Sequence, residues 1–382
     1  MKTKTLLLEA SSVSEESLEA ILRPAVEDLI NGQVVGIPTE TVYGLAANAL
    51  DPLACQRIYD TKNRPADNPL IVHISSLDML RFLVRPSPKP ASDNVLDSLD
   101  IPQHLKPVLK SLWPGPLTVL LPKCEKVHDI VTAGLDTVAV RFPRHPIARK
   151  IIDMVRVPLA APSANLSGKP SPTTAQHVLD DLRDRINYIV DGGQCSFGLE
   201  STVLDATRNP PLILRPGSVT TKMLREFLPN VQIFRKGSEH LTAEEIKQME
   251  DRPATPGMKY RHYSPTSPLL LFHSKSSADP EIVEKTIRAF LMEELKSGNR
   301  ISRITLRPAS KEHVVDDDNY YEFPLSLDGS HEEMARNLFA ALRTADAVEP
   351  TLIIAQSVEG EDEGLAIMNR LSKAASATRL VQ

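Results

Sequence analysis

The side chains of this sequence that could do chemistry are hydroxyls, amides, an imidazole and cations, and they recur where short apolar stretches end. Between residues 36 and 73 these side chains are Thr41, Lys62, Arg64, Asn68 and His73. Ligands of α/β proteins bind at the ends of strands, so this arrangement indicates a binding site. The same stretch is also compatible with a strand, a turn and a helix that carries a solvated basic edge.

Lys62 and Arg64 form the first candidate site. Two residues that are two positions apart in an extended or turn segment can both reach one anion, and Pro65 restricts the loop that carries them. A guanidinium fork beside an ammonium point charge suits a polyphosphate. The alternative is a pair of loop cations that only water contacts.

The second candidate site follows a predicted strand at residues 157–160. Ser163 and Asn165 come directly after this strand, and Ser171 follows a few residues later. Hydroxyls and exposed loop amides can bind phosphate oxygens without a basic charge. An ordinary turn rich in Ser, Asn and Gly is the alternative.

Arginines mark two further candidate sites at strand ends. Arg141 ends a predicted strand that also carries Thr137, and a period of two puts both side chains on one face. Arg141 could clamp a carboxylate in bidentate fashion, with a structural ion pair as the alternative. Ser201 and Arg215 repeat the pairing of a hydroxyl with an arginine on later strands. The four sites together, without paired acids or a Ser-His-Asp order, favour the positioning of an anionic ligand over acid–base hydrolysis.

The composition limits the classes of protein to which this chain can belong. Its 382 residues suffice for two domains, and the formal net charge of -5 confines phosphate binding to a local basic patch. Aromatic residues make up only 4%, which argues against a stacking platform for single-stranded nucleic acid. Cys55, Cys124 and Cys195 form neither a metal-ligand pattern nor a disulfide framework, which fits the cytoplasm. No apolar segment approaches the roughly 20 residues needed to span a bilayer, so we expect no membrane span.

Apolar runs and helical patterns alternate along the chain, which predicts a mixed, mostly open α/β sheet. We expect Ser14 to cap the first helix, and the Pro- and Ser-rich residues 85–102 to form a surface insertion. Residues 252–268 contain too many prolines for a helix, and a smaller α/β domain of three to four strands is predicted after them. The predicted boundaries are 1–235 for the first domain, 236–267 for a linker and 268–382 for the second domain.

Five ordered motifs resemble those of the Sua5/YrdC/YciO family. They are the run 38–45 (PTETVYGL), the pair Lys62-x-Arg64, the run 68–70, the pair Ser163-x-Asn165 and the run 215–217, all within residues 15–235. Residues 256–265 (PGMKYRHYSP) and the domain after them look like the long, two-domain Sua5 form. The resemblance implies a twisted open sheet with a concave, positively charged cavity, a linker that folds over this cavity, and a Rossmann-like C-terminal domain.

The activity that the resemblance implies is that of a threonylcarbamoyl-AMP synthase, a nucleotidyltransferase. Such an enzyme converts L-threonine, bicarbonate or CO2, and ATP into threonylcarbamoyl adenylate and pyrophosphate. The resemblance also implies Mg²⁺ together with ATP, and no prosthetic group. A separate tRNA-modifying complex then transfers the threonylcarbamoyl group to adenosine 37 of tRNAs that read ANN codons, which is the t6A modification.

Residue roles carry over from the family pattern, position by position. L-threonine is expected to lie against Thr41, His73, Arg141, Ser201 and the backbone of Ala161. ATP is expected to lie against Lys62, Arg64, Asn68, Thr137, Ser163, Asn165, Ser171, Arg215 and, in the linker, Tyr260. Lys62 and Arg64 are also expected to absorb charge on the leaving pyrophosphate, and no residue is expected to ligate a metal.

Two other functions would use the same kind of domain. An RNA-binding protein of the YciO type would use the basic cavity without catalysis, so direct RNA binding stays open. A carbamoyl-transfer domain like that of hydrogenase maturation factors would come with zinc-finger and acylphosphatase regions, which this sequence lacks. The complete set of Lys62, Arg64, Ser163 and Asn165, together with the linker, favours the synthase.

Overall fold

The computed structural model describes residues 5–11, 14–88, 93–234, 241–255, 262–274, 279–308 and 315–381. The chain divides into two compact units. The first unit consists of Met1–Ser167, Ser171–Ser196 and Glu200–Tyr260, and the second unit of Gly168–Pro170, Phe197–Leu199 and Arg261–Gln382. Within the described ranges, no helix is long and apolar enough to cross a membrane.

The first unit is built on an 11-stranded sheet. Its strands are β1 (Leu6–Glu9), β2 (Val35–Ile37), β3 (Gly44–Asn48), β4 (Ile71–His73), β5 (Leu117–Pro122), β6 (Thr137–Arg141), β7 (Leu159–Ala160), β8 (Tyr188–Asp191), β9 (Thr202–Asp205), β10 (Leu212–Arg215) and β11 (Gln232–Ile233). They lie in the order β1-β8-β2-β3-β7-β4-β6-β5-β9-β10-β11. Because β4 pairs parallel with β6 and antiparallel with β7, the predicted mixed sheet is confirmed.

Helices connect these strands. They are α1 (Glu15–Ile30), α2 (Pro52–Lys62), α3 (Val95–Ser98), α4 (Lys106–Leu112), α5 (Asp129–Thr132), α6 (Pro146–Val155), α7 (Ala175–Leu182), α8 (Thr221–Arg225) and α9 (Ala243–Asp251), with 3-10 turns at Leu77–Phe82 and Gln103–Leu105. The apolar face of α6 shows why such segments are helical, since Ile147, Ile151 and Ile152 are buried at helical spacing.

Apolar side chains cover both faces of the sheet. Val72 and Val140 belong to the main core, which also takes in residues of α1 and α2. Their neighbours Ile71 and Ala139 belong to a smaller apolar cluster. Successive residues of a strand point to opposite faces, so the smaller cluster lies on the face of the sheet opposite the main core.

The segment of α9 covers this smaller cluster. Met249 of α9 and Ala254, which follows the helix, both pack against it. His73 and Arg141 each lie two residues beyond a member of the cluster on the same strand, so they share its face. The segment 243–254 therefore packs on the face of the sheet that carries two predicted ligand-binding side chains.

The expectations for the cap of α1 and for the segment that carries Lys62 need correction. Ser14 precedes α1, but its hydroxyl lies 3.1 Å from Ser17 Oγ and makes no capping bond to the helix backbone. Asp51 caps α2, and the left-handed Asn63 ends it, so α2 extends to Lys62. Lys62 is therefore the last residue of a helix and does not lie in the extended or turn segment that the spacing suggested.

Residues 85–102 are not a simple surface insertion. Leu96, Leu99 and Ile101 are buried within the main core of the first unit. An isolated bridge between Pro86 and Leu99 closes the segment on itself. Residues 89–92 lie outside the described residues. The Pro- and Ser-rich composition of this segment did not indicate that three of its later residues belong to the core.

The second unit contains a wholly parallel five-stranded sheet in the order β14-β13-β15-β12-β16. Its strands are β12 (Leu269–Ser274), β13 (Ile301–Thr305), β14 (Tyr320–Pro324), β15 (Leu352–Gln356) and β16 (Ala377–Val381), and its helices are α10 (Pro280–Lys296), α11 (His331–Ala347) and α12 (Glu363–Ala374). The α/β character is confirmed, but the expected three to four strands was too few. The edge strands β14 and β16 are mostly half-buried or exposed, so they show no apolar run.

Candidate active site

Thr41 lies in the turn that joins β2 to β3. These strands pair antiparallel, so residues 38–43 form the connection. The Thr39 hydroxyl accepts hydrogen bonds from the backbone N–H groups of Thr41 at 3.2 Å and Val42 at 3.3 Å, which holds the turn closed. The Thr41 side chain is fully buried, with its hydroxyl 2.9 Å from that of Thr39.

Arg141 connects Thr41 to a buried ion pair. Its Nη1 donates to Thr41 Oγ1 at 2.7 Å, and its Nη2 lies 2.7 Å from Glu40 Oε1. The side chains of Arg141 and Glu40 are 4% and 5% exposed, and the backbone N–H of His145 donates to Glu40 Oε2 at 3.2 Å. Burial by itself would raise the pKa of Glu40, but the charge of Arg141 and hydrogen bonds outweigh burial and lower it. An ionised Glu40 therefore fixes one edge of the guanidinium.

His73 ends β4 beside Arg141, with which it pairs in the parallel register of β4 and β6. The residue is buried, and this burial together with the charge of Arg141 lowers the pKa of His73 to about 3. The imidazole is therefore neutral at neutral pH, and one of its nitrogens can accept a hydrogen bond. Its Nδ1 has no hydrogen-bond partner among the described residues, so it is available to a donor on a ligand.

A transverse row of paired residues crosses five neighbouring strands at this level. His73 of β4 pairs with Arg141 of β6, Arg141 with Thr118 of β5, Thr118 with Val203 of β9, and Val203 with Arg215 of β10. Directly paired residues lie close together on one face of a sheet. The register therefore brings three predicted ligand-binding residues to one level of the sheet.

Ser201 and Arg215 meet at one end of this row. Arg215 Nη2 donates to the carbonyl oxygen of Ser201 at 3.0 Å and to its hydroxyl at 3.3 Å. Ser201 Oγ also lies 2.7 Å from Thr118 Oγ1. A Cβ on Gly217 would lie 2.5 Å from the carbonyl oxygen of Glu200, so only glycine allows this close approach. The structure thus places the Ser201 hydroxyl, predicted to contact threonine, beside Arg215, predicted to contact ATP.

Lys62 holds the loop that carries Ser163 and Asn165. Lys62 as a residue is 2% exposed, and its ammonium donates to the carbonyl oxygens of both residues. The backbone N–H of Ser167 returns a hydrogen bond to the carbonyl oxygen of Lys62 at 2.9 Å, and the Asn165 amide donates to the carbonyl of Leu166 at 2.7 Å. Three residues predicted for ATP binding are thus assembled around one buried ammonium group.

Arg64 turns back toward the start of β4. After the left-handed Asn63, the Arg64 guanidinium donates to the carbonyl oxygens of Asn68 at 3.0 Å and Pro69 at 3.1 Å. Because β4 and β6 are parallel, Thr137 at the start of β6 lies level with the residues that precede β4. Asn68 Oδ1 is buried and has no hydrogen-bond partner in the described ranges.

Three predicted positions remain. The Ser171 hydroxyl is fully buried and donates to Glu200 Oε1 at 2.5 Å. The backbone N–H of Ala161 donates to the carbonyl of Ile71 at 2.9 Å, which fixes its position beside β4. Tyr260 lies outside the described residues.

The predicted residues fall into two groups along the strands. His73 and Arg141 end β4 and β6, whereas Arg64 and Thr137 lie near the start of these strands. The Arg141 side chain reaches Thr41 in the turn before β3, and the bridge between Gly44 and Ser163 places that turn beside the 163–165 loop. Four residues of strand separate Thr137 from Arg141, which corresponds to about 13 Å. The site is therefore elongated along the strands, and the structure does not bring Thr137 into contact with Arg141.

Sequence reasoning missed three residues that contact the predicted ones. Glu40 pairs with Arg141, Thr118 contacts Ser201, and Glu200 accepts from Ser171. The signal for Glu40 was a single acid between two threonines in an otherwise apolar stretch, which predicts a buried carboxylate with a cationic partner.

The fold and the site define a class of protein: an α/β protein whose mixed sheet carries buried cations and hydroxyls near the ends of its strands. Comparison with known proteins gives the particular family. A family model, Sua5_yciO_yrdC, described as "Telomere recombination", matches residues 27–217. A second model, Sua5_C, described as "Threonylcarbamoyl-AMP synthase, C-terminal domain", matches residues 219–376.

Individual relatives agree with these matches. The chain is 40% identical to the threonylcarbamoyl-AMP synthase of Pyrococcus abyssi, over 97% of this chain and 98% of that protein. It is 42% identical to the threonylcarbamoyl-AMP synthase of Schizosaccharomyces pombe, over 90% of this chain and 85% of that protein. The crystal structure of P. abyssi Sua5 complexed with L-threonine superposes with a TM-score of 0.85 at 39% identity, covering 99% of this chain and 100% of that one. The chain belongs to the Sua5/YciO/YrdC family, in its long two-domain form, which confirms the resemblance.

Proposed function

We propose that this chain is a threonylcarbamoyl-AMP synthase, which makes threonylcarbamoyl adenylate and pyrophosphate from L-threonine, bicarbonate or CO2, and ATP. The observation that carries the proposal is the buried Arg141, held at once by Glu40 and Thr41 and placed beside a neutral His73. The L-threonine complex of P. abyssi Sua5, at 39% identity, supports an amino acid as one substrate.

The amino-acid half of the site uses the charges around Arg141. The Nε of Arg141 is buried and has no hydrogen-bond partner within the described part of the chain, so it can receive the threonine carboxylate. Neutral His73 can accept a hydrogen bond from the ammonium or hydroxyl group of the substrate. The Thr41 and Ser201 side chains and the backbone of Ala161 complete this half. One methyl group separates threonine from serine, which limits the discrimination to about 1–3 kcal/mol.

The nucleotide half takes in the start of β4 and β6, and also Arg215, which lies on the same row as Arg141. We assign ATP to Lys62, Arg64, Asn68, Thr137, Ser163, Asn165, Ser171 and Arg215, with Tyr260 of the linker. Lys62 acts in part by fixing the carbonyl groups of the 163–165 loop. With the two substrates held end to end, the threonine amine adds to CO2 and the carbamate oxygen attacks the α-phosphorus as pyrophosphate leaves. Positioning alone can supply up to about 7–11 kcal/mol of such a rate enhancement, without a protein nucleophile.

Mg²⁺ enters this reaction with ATP. No group of three or more His, Cys, Asp or Glu side chains that could hold a metal occurs among the residues that the structure describes. We propose that the ATP phosphates would hold Mg²⁺, which would neutralise charge on the leaving pyrophosphate. Lys62 and Arg64 are the protein's own cations near that charge.

The biological role that fits this product is the t6A modification of adenosine 37 in tRNAs that read ANN codons. We propose that a separate tRNA-modifying complex consumes the adenylate and that the reaction takes place in the cytoplasm. Direct binding of RNA by this chain, as in the YciO alternative, stays a prediction.

The test is an assay of threonylcarbamoyl-AMP and pyrophosphate with each substrate omitted in turn. We expect product only when threonine, bicarbonate and ATP are all present. Lys62→Ala removes two charge-assisted hydrogen bonds and should lower kcat/KM at least about a hundredfold, since each such bond contributes about 1.5–3 kcal/mol. Lys150→Ala is the matched control, because it removes a partly exposed lysine that pairs with the half-exposed Glu19. RNA binding without any threonine-dependent product would refute the enzyme, and an unchanged Lys62→Ala would refute only the role of Lys62.

A further inference from the structure

The second unit contains a crevice at the carboxyl edge of its parallel sheet. Its volume is about 720 Å³, within the roughly 300–1,000 Å³ typical of small-molecule pockets. The last residues of three neighbouring strands line it: Ser274 of β12, Gln356 of β15 and Thr305 of β13. The crevice therefore lies entirely within this unit and is separate from the site described above.

The helices beside these strands lie on opposite faces of the sheet. Ile301 of β13 packs with Ile287 of α10, whereas the next residue, Ser302, donates its hydroxyl to the carbonyl oxygen of Ala345 in α11 at 2.9 Å. Successive residues of a strand point to opposite faces, so α10 and α11 cover different faces. The first turns of both helices reach the crevice. Open α/β sheets bind ligands in this position, outside the carboxyl ends of strands where the connections diverge.

Fixed polar groups form the wall and floor of the crevice. Arg303 Nη1 and Nη2 donate to the two carboxylate oxygens of Glu284 at 2.9 and 2.5 Å, and the Arg303 side chain is 8% exposed. Ser274 Oγ lies 3.2 Å from Ser357 Oγ. The charges of Arg303 and Glu284 offset each other, and their bidentate geometry keeps this wall of the crevice rigid.

Two further nitrogen-bearing side chains that line the crevice, Arg307 and His331, lie against glycine backbone. A Cβ on Gly329 would lie 2.0 Å from Arg307 Nε, and a Cβ on Gly360 would lie 2.7 Å from Cε1 of His331. The glycines therefore leave the space that these two side chains occupy. Within the described ranges, Arg307 makes no hydrogen bond or ion pair that would use its charge. Glu359 lines the same crevice from the loop after β15.

We propose that this crevice binds a mononucleotide, with the phosphate against Arg307 and His331 and the ribose hydroxyls against Glu359. A carboxylate for the ribose hydroxyls is an arrangement that nucleotide-binding α/β folds use, and a guanidinium fork suits phosphate. Val283 and Met334 supply apolar wall for the base. The site is distinct from that of the proposed reaction, so it provides a place where a nucleotide can act on the enzyme without being its substrate.

AMP is the probe, because its binding is measured without turnover and the result does not depend on the proposed activity. We would titrate AMP and adenosine calorimetrically into the full-length Lys62→Ala chain, in which nucleotide binding by the first unit is weakened. We expect one AMP per chain, bound about tenfold or more tightly than adenosine, because the phosphate adds charge-assisted hydrogen bonds. Adding Arg307→Ala should remove the difference in affinity between AMP and adenosine. Adding Glu359→Gln should weaken the binding of AMP and of adenosine by the same factor.

The control is Arg379→Ala, which removes an exposed arginine on β16 of the same unit outside this crevice and should change neither affinity. If Lys62→Ala does not fold, the wild-type chain serves instead, with two AMP sites expected and one of them lost in Arg307→Ala. Absence of AMP binding by the second unit at millimolar concentration would overturn the proposal. AMP affinity that Arg307→Ala leaves unchanged would overturn it as well.

Discussion

The buried pair of Glu40 and Arg141 makes Glu40→Gln an informative perturbation. The amide keeps the shape of the carboxylate but leaves Arg141 charged, 4% exposed and without its counter-charge. Removing one partner of a buried ion pair costs about 3–5 kcal/mol, because the other charge stays buried and uncompensated. We expect the free energy of unfolding of the first unit to fall by that amount at pH 7, and the KM for threonine to rise with it.

Urea unfolding followed by tryptophan fluorescence measures this loss. The chain has 1 Trp, and Trp113 is buried in the first unit, so its signal reports on that unit alone. With an m-value of roughly 3 kcal/mol/M, the midpoint should shift by about 1 M or more. Glu19→Gln is the control, since Glu19 is 53% exposed in its pair with Lys150 and its loss should not move the midpoint.

The effect of Glu40→Gln should also depend on pH in a defined direction. The pKa of Glu40 is lowered on folding from its ordinary value of 4.5, so the carboxylate binds fewer protons when folded. The contribution of Glu40 to the free energy of unfolding is complete above pH 4.5 and is lost as the pH falls through the lowered pKa. The wild type and Glu40→Gln should therefore converge in acid. An unchanged midpoint at pH 7, or a difference that persists at every pH, would refute the role assigned to the pair.

Three further substitutions test buried groups. His73→Gln should flatten the pH dependence of the unfolding free energy. Folded His73 has a pKa of about 3, whereas unfolded His73 binds a proton below pH 6.5, so the unfolding free energy of the wild type falls by about 1.4 kcal/mol per pH unit below pH 6.5. Equal slopes for both proteins between pH 6 and 4 would contradict this. Thr255→Val should raise the unfolding free energy by about 1–3 kcal/mol, because its buried hydroxyl has no partner among the described residues. Thr5→Val is its matched control and should lower Tm, since that hydroxyl donates to a carbonyl oxygen at 2.6 Å; shifts of the same sign would refute the reasoning. Gly217→Ala should lower Tm in the same melting assay by roughly 2–4 °C per kcal/mol lost, because its Cβ would lie 2.5 Å from a carbonyl oxygen; an unchanged Tm would show that the backbone can move.

Elements with strong periodicity could be predicted from sequence, and those built from small residues could not. The bounds of β6 and β10 match the prediction, since apolar β-branched and aliphatic residues dominate both strands. β3 was missed because it reads Gly-Leu-Ala-Ala-Asn, and glycine and alanine disfavour strands. Its first four residues are nevertheless buried, so tertiary packing between β2 and β7 overrides that preference.

The residue types of the candidate site could be predicted, but their spatial relations could not. That Lys62 belongs with Ser163 and Asn165 follows from a resemblance between motifs, whereas the hydrogen bonds to their carbonyl groups depend on where α2 ends. The partnership of Arg141 with Glu40 depends on a turn that brings Glu40 to the end of β6. Pairing register and turn geometry are long-range properties, so sequence spacing alone does not determine them.

The mixed directions of the strands explain why the site is elongated. In a wholly parallel sheet, every loop that follows a strand lies at one edge, and the ligand binds across the strand ends. Here β7 runs antiparallel to β4, so the loop after β7, with Ser163 and Asn165, lies beside the start of β4 rather than beside His73 at its end. Lys62 fastens that loop, and Arg64 fastens the start of β4. Anion-binding groups therefore occupy both ends of the same short strands, about 13 Å apart. This separation suits two substrates that lie along the strands and react where they meet, and it requires one strand between parallel neighbours to run the other way.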